Sequence, residues 1–301
     1  MVSLNMSKRE IKISKICGFC FGVQRAVELT SKALGNKSKT SKRSVWSLGE
    51  IIHNPQVIKK LKKRGLNVTK SLNVINPGDI LIIRSHGENI AKIEEAKKKK
   101  LKIIDTTCPL VKNVQQIAAA LKNKDFTIVI AGDKKHPEVV ALRSFAGRNT
   151  KVISNLSEAK KLKLKKKKIA LIAQTTQSLS DYKKMATSIA GLEYKQLHIF
   201  NTICEATVIR QKLAVEIARK VDIMFVIGGA QSANTQRLAQ ICSTTGTPTK
   251  KIEDASQVKK QWLAEKNKIG ITSGTSTPGW IVEKVVKSIK IIGGNINAHN
   301  Q

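Results

Sequence analysis

Long apolar runs are missing from this 301-residue chain. None approaches the roughly 18 to 20 residues of a membrane span, and the opening MVSLNMSKREIKIS lacks the apolar stretch of a secretory signal, so a cytoplasmic protein with no membrane partner is expected. Cysteine is scarce: Cys17, Cys20, Cys108, Cys204 and Cys242 are odd in number and far apart, which excludes a disulfide framework and leaves metal, catalytic or core thiols in a reducing compartment. Aromatic residues are few, with 3 Trp, 2 Tyr and 6 Phe, too few for a base-stacking platform. Acidic residues are outnumbered, 21 against 55 Lys and Arg, for a net charge of +34. Such a charge invites a polyanion. The lysines, however, cluster as KKKK at 97–100 and KLKLKKKK at 161–168, after helical patterns and before apolar strands, where solvated faces and turns account for them, and no nucleic-acid partner is expected. A long Gly/Ser/Pro linker is absent too, so the small lobes that this length allows are expected in contact.

What is present is an α/β pattern. DILIIRSHG, KIID, FTIVIAGD, KIALIAQTT, IMFVIGGA and KIGITSGTS read as strands of mostly parallel sheets, alternating with helical patterns. In such sheets ligands gather at the carboxyl ends of the strands. A threefold order runs through them. Cys20, Cys108 and Cys204, at intervals of 88 and 96 residues, each open a helix. The apolar faces are Val23, Ala26, Val27 and Leu34; Val111, Val114, Ala118 and Leu121; and Ile209, Leu213 and Ile217. A second beat follows 33, 28 and 28 residues after each cysteine, at His53, His136 and Ser232, and a third falls at His86, Thr175 and Ser276. The expected architecture is three pseudo-symmetric α/β lobes, a trefoil around a central cavity. Lobe 1 spans 22–107, lobe 2 spans 108–201, and lobe 3 spans 202–290 together with 1–21; a tail covers 291–301 and includes His299.

If strand ends face inward, three thiols meet three polar sets. Helix N-termini favour thiolate over thiol, and Cys108 followed by Pro109 is suited to present one. Three thiolates can hold zinc with a fourth ligand or an iron–sulfur cluster with one iron left open. His53, His86, His136, Ser232, Asn234 and Ser276 form a donor set suited to a phosphate or diphosphate. Glu138, two residues past His136, either transfers protons or pairs with a lysine. Thr175 and Thr176 can orient a hydroxyl or relay a proton. Cys242 reads as core, His198 as packing or surface, and Cys17 has no assigned role. A three-cysteine zinc hydrolase and a basic nucleic-acid-binding protein with a structural metal remain as rival readings.

GFCFGV, IIHNPQV, RSHG, DTTCPLV, GDKKHPEV, QTTQS, NTICEATVIRQ, GGAQSANTQRL and GITSGTSTP, in that order and over nearly the whole chain, resemble the IspH/LytB family of 4-hydroxy-3-methylbut-2-enyl diphosphate reductases. The resemblance implies an iron–sulfur oxidoreductase that reductively removes the substrate hydroxyl to give isopentenyl and dimethylallyl diphosphate, the last step of the non-mevalonate isoprenoid pathway. It implies a [4Fe–4S] cluster on Cys20, Cys108 and Cys204, diphosphate binding by His53, His86, His136, Ser232, Asn234 and Ser276, and proton handling by Glu138 with Thr175. An acidic electron donor such as flavodoxin or ferredoxin suits the basic chain. One departure stands out: QSANT places Ala233 where the family usually has a second serine.

Overall fold

Short runs of β-branched residues set the strands. Segments such as ILII at 80–83, TIVIA at 127–131 and IMFVI at 223–227 are too short and too β-branched for stable helices, and they bury nearly every side chain, as strands covered on both faces must. The computed structural model describes residues 9–35, 43–164, 167–293 and 296–300.

The described chain begins with β1 (Arg9–Ile13) and α1 (Phe21–Gly35), then β2 (Val45–Leu48), α2 (Pro55–Lys63), β3 (Leu66–Thr69), β4 (Ile80–Ile83), α3 (Ile90–Lys98) and β5 (Lys102–Asp105). It continues with α4 (Pro109–Asn123), β6 (Thr127–Ala131), α5 (Pro137–Ala146), β7 (Thr150–Ile153), α6 (Leu156–Lys160), β8 (Lys167–Ala173), α7 (Leu179–Ala190) and β9 (Tyr194–Ile199). The last third holds α8 (Glu205–Ala218), β10 (Ile223–Ile227), α9 (Ala233–Ser243), β11 (Thr249–Ile252), α10 (Lys260–Leu263), β12 (Lys268–Ser273), α11 (Gly279–Gly293) and β13 (Ile296–Asn300). Among the described residues no helix is long and apolar enough to cross a membrane.

Three parallel sheets result, ordered β3-β2-β4-β5, β7-β6-β8-β9 and β11-β10-β12-β1-β13. Their first four positions correspond one to one. In the third sheet the position held by β5 and β9 elsewhere is taken by β1, the first strand of the chain, in parallel register with β12 (Ile11 beside Ile269). Residues 296–300, expected as tail, pair with β1 as β13 and cover what would otherwise be a sheet edge.

By compactness the chain forms two units, Phe21–Cys204 with the first two sheets, and Met1–Cys20 joined with Glu205–Gln301, which holds the third. Each sheet has its own apolar core, around Leu81 and Ile83, around Ile128 and Ile130, and around Phe225 and Ile271. Full burial of each such side chain contributes roughly 1.5–3 kcal/mol. The expected faces of α1 and α4 are buried, with Val27 only partly so. In α8 the periodicity misleads. Ile209 is exposed, and the helix instead turns Arg210 inward, where the guanidinium donates to Ser273 O at 2.9 Å and to Gly18 O at 3.1 Å. Those carbonyls give a buried cation a reason to displace an isoleucine from the inner face.

Candidate functional site

The three cysteines occupy one structural position repeated three times. Cys108 is the N-cap of α4, with Pro109 at its first turn, while Cys20 and Cys204 immediately precede α1 and α8. Each backbone N–H closes onto the loop leaving a central strand: Cys20 to Thr275 O (3.1 Å), Cys108 to Ser85 O (3.0 Å) and Cys204 to Thr175 O (2.9 Å). The pairing is shifted one step from the sequence order. Cys108 joins the loop of His86, Cys204 that of Thr175, and Cys20 that of Ser276, so each thiol completes the sheet that precedes it around the repeat.

Space is kept at Cys108. A Cβ placed on Gly22 would lie 2.4 Å from the Cys108 Sγ, well inside contact distance, and Arg25 Nη1 donates to Thr107 O at 3.3 Å to hold α1 beside α4. A thiol at a helix start beside a residue without a side chain is a donor suited to a soft metal or cluster.

Within the unit Phe21–Cys204, His53 leaves β2, His86 leaves β4, and His136 caps α5. The ring centroids are 4.5 Å apart for His53–His86, 5.3 Å for His86–His136 and 5.7 Å for His53–His136. All three titrate below the usual imidazole range. Burial is the main cause, with Arg84 and, for two of them, the neighbouring rings adding to it; His136 falls to about 4 and His86 lies well below 6.5. Ring nitrogens within 4.8 Å of one another could suggest a metal site. The helix cap argues for a different use. His136 Nδ1 accepts the Glu138 N–H at 3.2 Å, so the neutral ring carries its proton on Nε2, which is then a hydrogen-bond donor.

That cap also positions Glu138, which is 3% exposed. Among the described residues its carboxyl pairs with Thr175 and with no lysine. Oε1 accepts from Thr175 N at 2.6 Å and Oε2 from Thr175 Oγ1 at 2.8 Å. Burial pushes the carboxyl up to about 7 although both Thr175 bonds pull it down, so it holds a proton that it can release near neutrality. Thr176, next in the chain, accepts from Gln174 Nε2 at 2.8 Å.

In the other unit Ser232 caps α9 by accepting the Thr235 N–H, and Ser276 Oγ lies 3.5 Å from Ser232 Oγ. Asn234, 2% exposed, has no protein partner for Oδ1 or Nδ2 among the described residues. A buried unsatisfied amide costs roughly 1–3 kcal/mol, which a ligand with polar oxygens would offset. Ala233 opens the same helix.

The sequence alone does not single out Arg84, Gly22 or Arg210. Arg84, Gly22 and Arg210 lie inside the matched strings RSHG, GFCFGV and NTICEATVIRQ, and that is the only signal that could have found them. Cys242 is wholly buried in the core between α8 and α9, its thiol pushed up to about 12. Cys17 packs on the core of the third sheet, and His198 packs on Phe126 at 4.9 Å. The side chain of His299 lies outside the described residues.

A family model described as "LytB protein" matches residues 11–290. Among curated relatives, the 4-hydroxy-3-methylbut-2-enyl diphosphate reductase of Geobacter metallireducens is 41% identical over 283 residues, covering 94% of this chain and 98% of the relative. That of Pelobacter propionicus is 41% identical over 288 residues, covering 96% and 99%. Among solved structures, the E-1-hydroxy-2-methyl-but-2-enyl-4-diphosphate reductase of Plasmodium falciparum superposes with a TM-score of 0.89 at 30% identity, over 98% of this chain and 92% of that one.

Proposed function

Because the chain belongs to the LytB family, we propose that it reductively dehydroxylates 4-hydroxy-3-methylbut-2-enyl diphosphate to isopentenyl and dimethylallyl diphosphate, the terminal step of the non-mevalonate pathway. The reaction replaces C–OH by C–H and consumes two electrons and two protons, with one oxygen leaving as water. The observation that carries the reading beyond kinship is Glu138: a buried acid poised at about 7, held by Thr175 and anchored to His136.

The diphosphate end is assigned to His53, His86, His136, Thr176, Ser232, Asn234 and Ser276. Neutral imidazoles offer N–H donors without competing for charge, and Asn234 supplies the amide that its own fold leaves unsatisfied. Glu138 delivers the proton that leaves with the hydroxyl, and the Thr175 hydroxyl, bonded to Oε2, is placed to pass it on. Cys20, Cys108 and Cys204 would hold a [4Fe–4S] cluster through three thiolates with one iron left open. Such a cluster, when bound, supplies single electrons and a Lewis-acid position for the substrate hydroxyl. The +34 chain suits an acidic electron carrier of the flavodoxin or ferredoxin kind in the cytoplasm.

Anaerobic reconstitution with iron and sulfide, then reduction in the presence of the substrate, tests this reading. A brown protein with about four irons per chain that releases both five-carbon diphosphates supports it. A colourless zinc protein, or phosphate release without loss of the hydroxyl, overturns it.

A further inference from the structure

The three histidines, His136 buried and His53 and His86 partly so, are held below the ordinary imidazole range, yet a diphosphate arrives with several negative charges; the cation that balances them has to come from elsewhere. Arg84 leaves the end of β4 two residues before His86. Its Nη1 lies against Gly49 in the loop that carries His53, where a Cβ would come within 2.9 Å. Its Nη2 donates to Glu88 Oε2 at 2.9 Å. Its Nε is buried and has no protein acceptor among the described residues. The guanidinium is thus wedged between two histidine-bearing loops with one N–H unsatisfied. Glu88, itself buried, has its other oxygen occupied by the Asn89 N–H at 2.9 Å.

We propose that Arg84 is the fixed cation that balances the diphosphate from behind the histidines, and that Glu88 holds this charge in check until the substrate arrives. Three features of the geometry carry this: the placement between the loops of His53 and His86, the buried unsatisfied Nε, and the single carboxylate bridging Arg84 to the start of α3. The field of Arg84 on all three rings is consistent with that placement. A guanidinium is suited to the place because it stays charged when buried and is weakly hydrated. Arg84 acts on the substrate through the field and through the histidine loops, as a positioning and charge-balancing residue. The inference rests on the diphosphate reading of the site.

The two members of the pair give the test its sign. Binding of inorganic diphosphate to the anaerobic holoenzyme is measured by calorimetry for wild type, Arg84→Met, Arg84→Lys and Glu88→Gln, alongside KM and kcat for substrate. Arg84→Met should weaken diphosphate binding and raise KM by 10- to 100-fold with kcat within a few-fold, and Arg84→Lys should recover much of the loss. Glu88→Gln, which frees the guanidinium, should tighten binding by two- to tenfold. If Arg84 merely braces the loops, Glu88→Gln removes the same brace and weakens binding in parallel with Arg84→Met, which overturns the proposal. Equal affinity in wild type and Arg84→Met also overturns it. A wild type that does not bind diphosphate at all would instead overturn the diphosphate reading of the site.

Discussion

Thr175 grips both oxygens of Glu138, its N–H donating to Oε1 at 2.6 Å and its hydroxyl to Oε2 at 2.8 Å. One residue therefore orients the acid and lowers its proton affinity. Burial raises that affinity more than the two bonds lower it, leaving the carboxyl at about 7.

Glu138→Gln keeps shape and hydrogen bonding but cannot give up a proton. Turnover should fall by about 10²- to 10⁴-fold while diphosphate affinity stays near wild type. In the wild type kcat should decline as pH rises through about 7, because the protonated acid is the working form. Near wild-type turnover, or a flat wild-type profile, would move the proton source elsewhere.

The same group links folding to pH. Its folded value of about 7 lies above the ordinary 4.5, so the native state holds a proton that the unfolded chain releases between those values. That stabilisation is complete below pH 4.5 and is lost as pH rises through 7, up to about 3 kcal/mol. Denaturant titrations of wild type and Glu138→Gln should therefore diverge as pH rises from about 4.5 to about 7, with the variant gaining relative stability, and keep a constant offset above that range.

Thr175→Val removes the hydroxyl at nearly constant volume. Since that bond lowers the Glu138 proton affinity, the alkaline limb of the kcat profile should move to higher pH, and turnover should fall as the relay is lost. Thr175→Ser should restore both. A limb that stays in place in Thr175→Val would show that the hydroxyl does not act on the acid.

At the thiols, Cys108→Ser, Cys20→Ser or Cys204→Ser should each prevent a stable cluster, read as visible absorbance and iron content. Cys242→Ser should keep the cluster and lose roughly 1–3 kcal/mol of stability, because a hydroxyl enters an apolar core. Gly22→Ala is the more telling change, since its Cβ would crowd the Cys108 Sγ at 2.4 Å. The protein should fold with unchanged helical content and take up iron poorly; full iron loading would mean that Cys108 is not a ligand in this arrangement.

Much of this was legible beforehand. ILII, TIVIA and IMFVI declare buried strands by composition, and the caps at His136 and Ser232 follow from a polar residue ahead of an apolar period. LNVT, TKVI and TKKI do not declare themselves, because β3, β7 and β11 are four-residue edge strands in which Asn67, Lys151 and Lys251 face water. Arg210 took the inner face from Ile209 because two distant carbonyls awaited it, and a helical period cannot report distant carbonyls. Arg84 was hidden for a similar reason: its meaning lies in Gly49 and Glu88, and only folding brings Gly49 to it. The three cysteines were visible as a set. Which sheet each one completes was not, since the bond from Gly18 N to Ser273 Oγ that sits beside Cys20 spans 255 positions.

The exchange of β1 into the last sheet sets a timetable for biogenesis. Strand β1 pairs with β12, which is translated long after it. At 5–20 residues per second the 255 intervening positions take roughly 13 to 50 s to translate. For that interval the nascent chain carries Cys20 on an unpaired segment, while the lobes bearing Cys108 and Cys204 are free to form. A loading machinery that met the chain during synthesis would find two thiols in place and the third still waiting. Completion of the third sheet therefore waits until β12 has emerged, and a chain arrested before that point can fold two sheets and not the third.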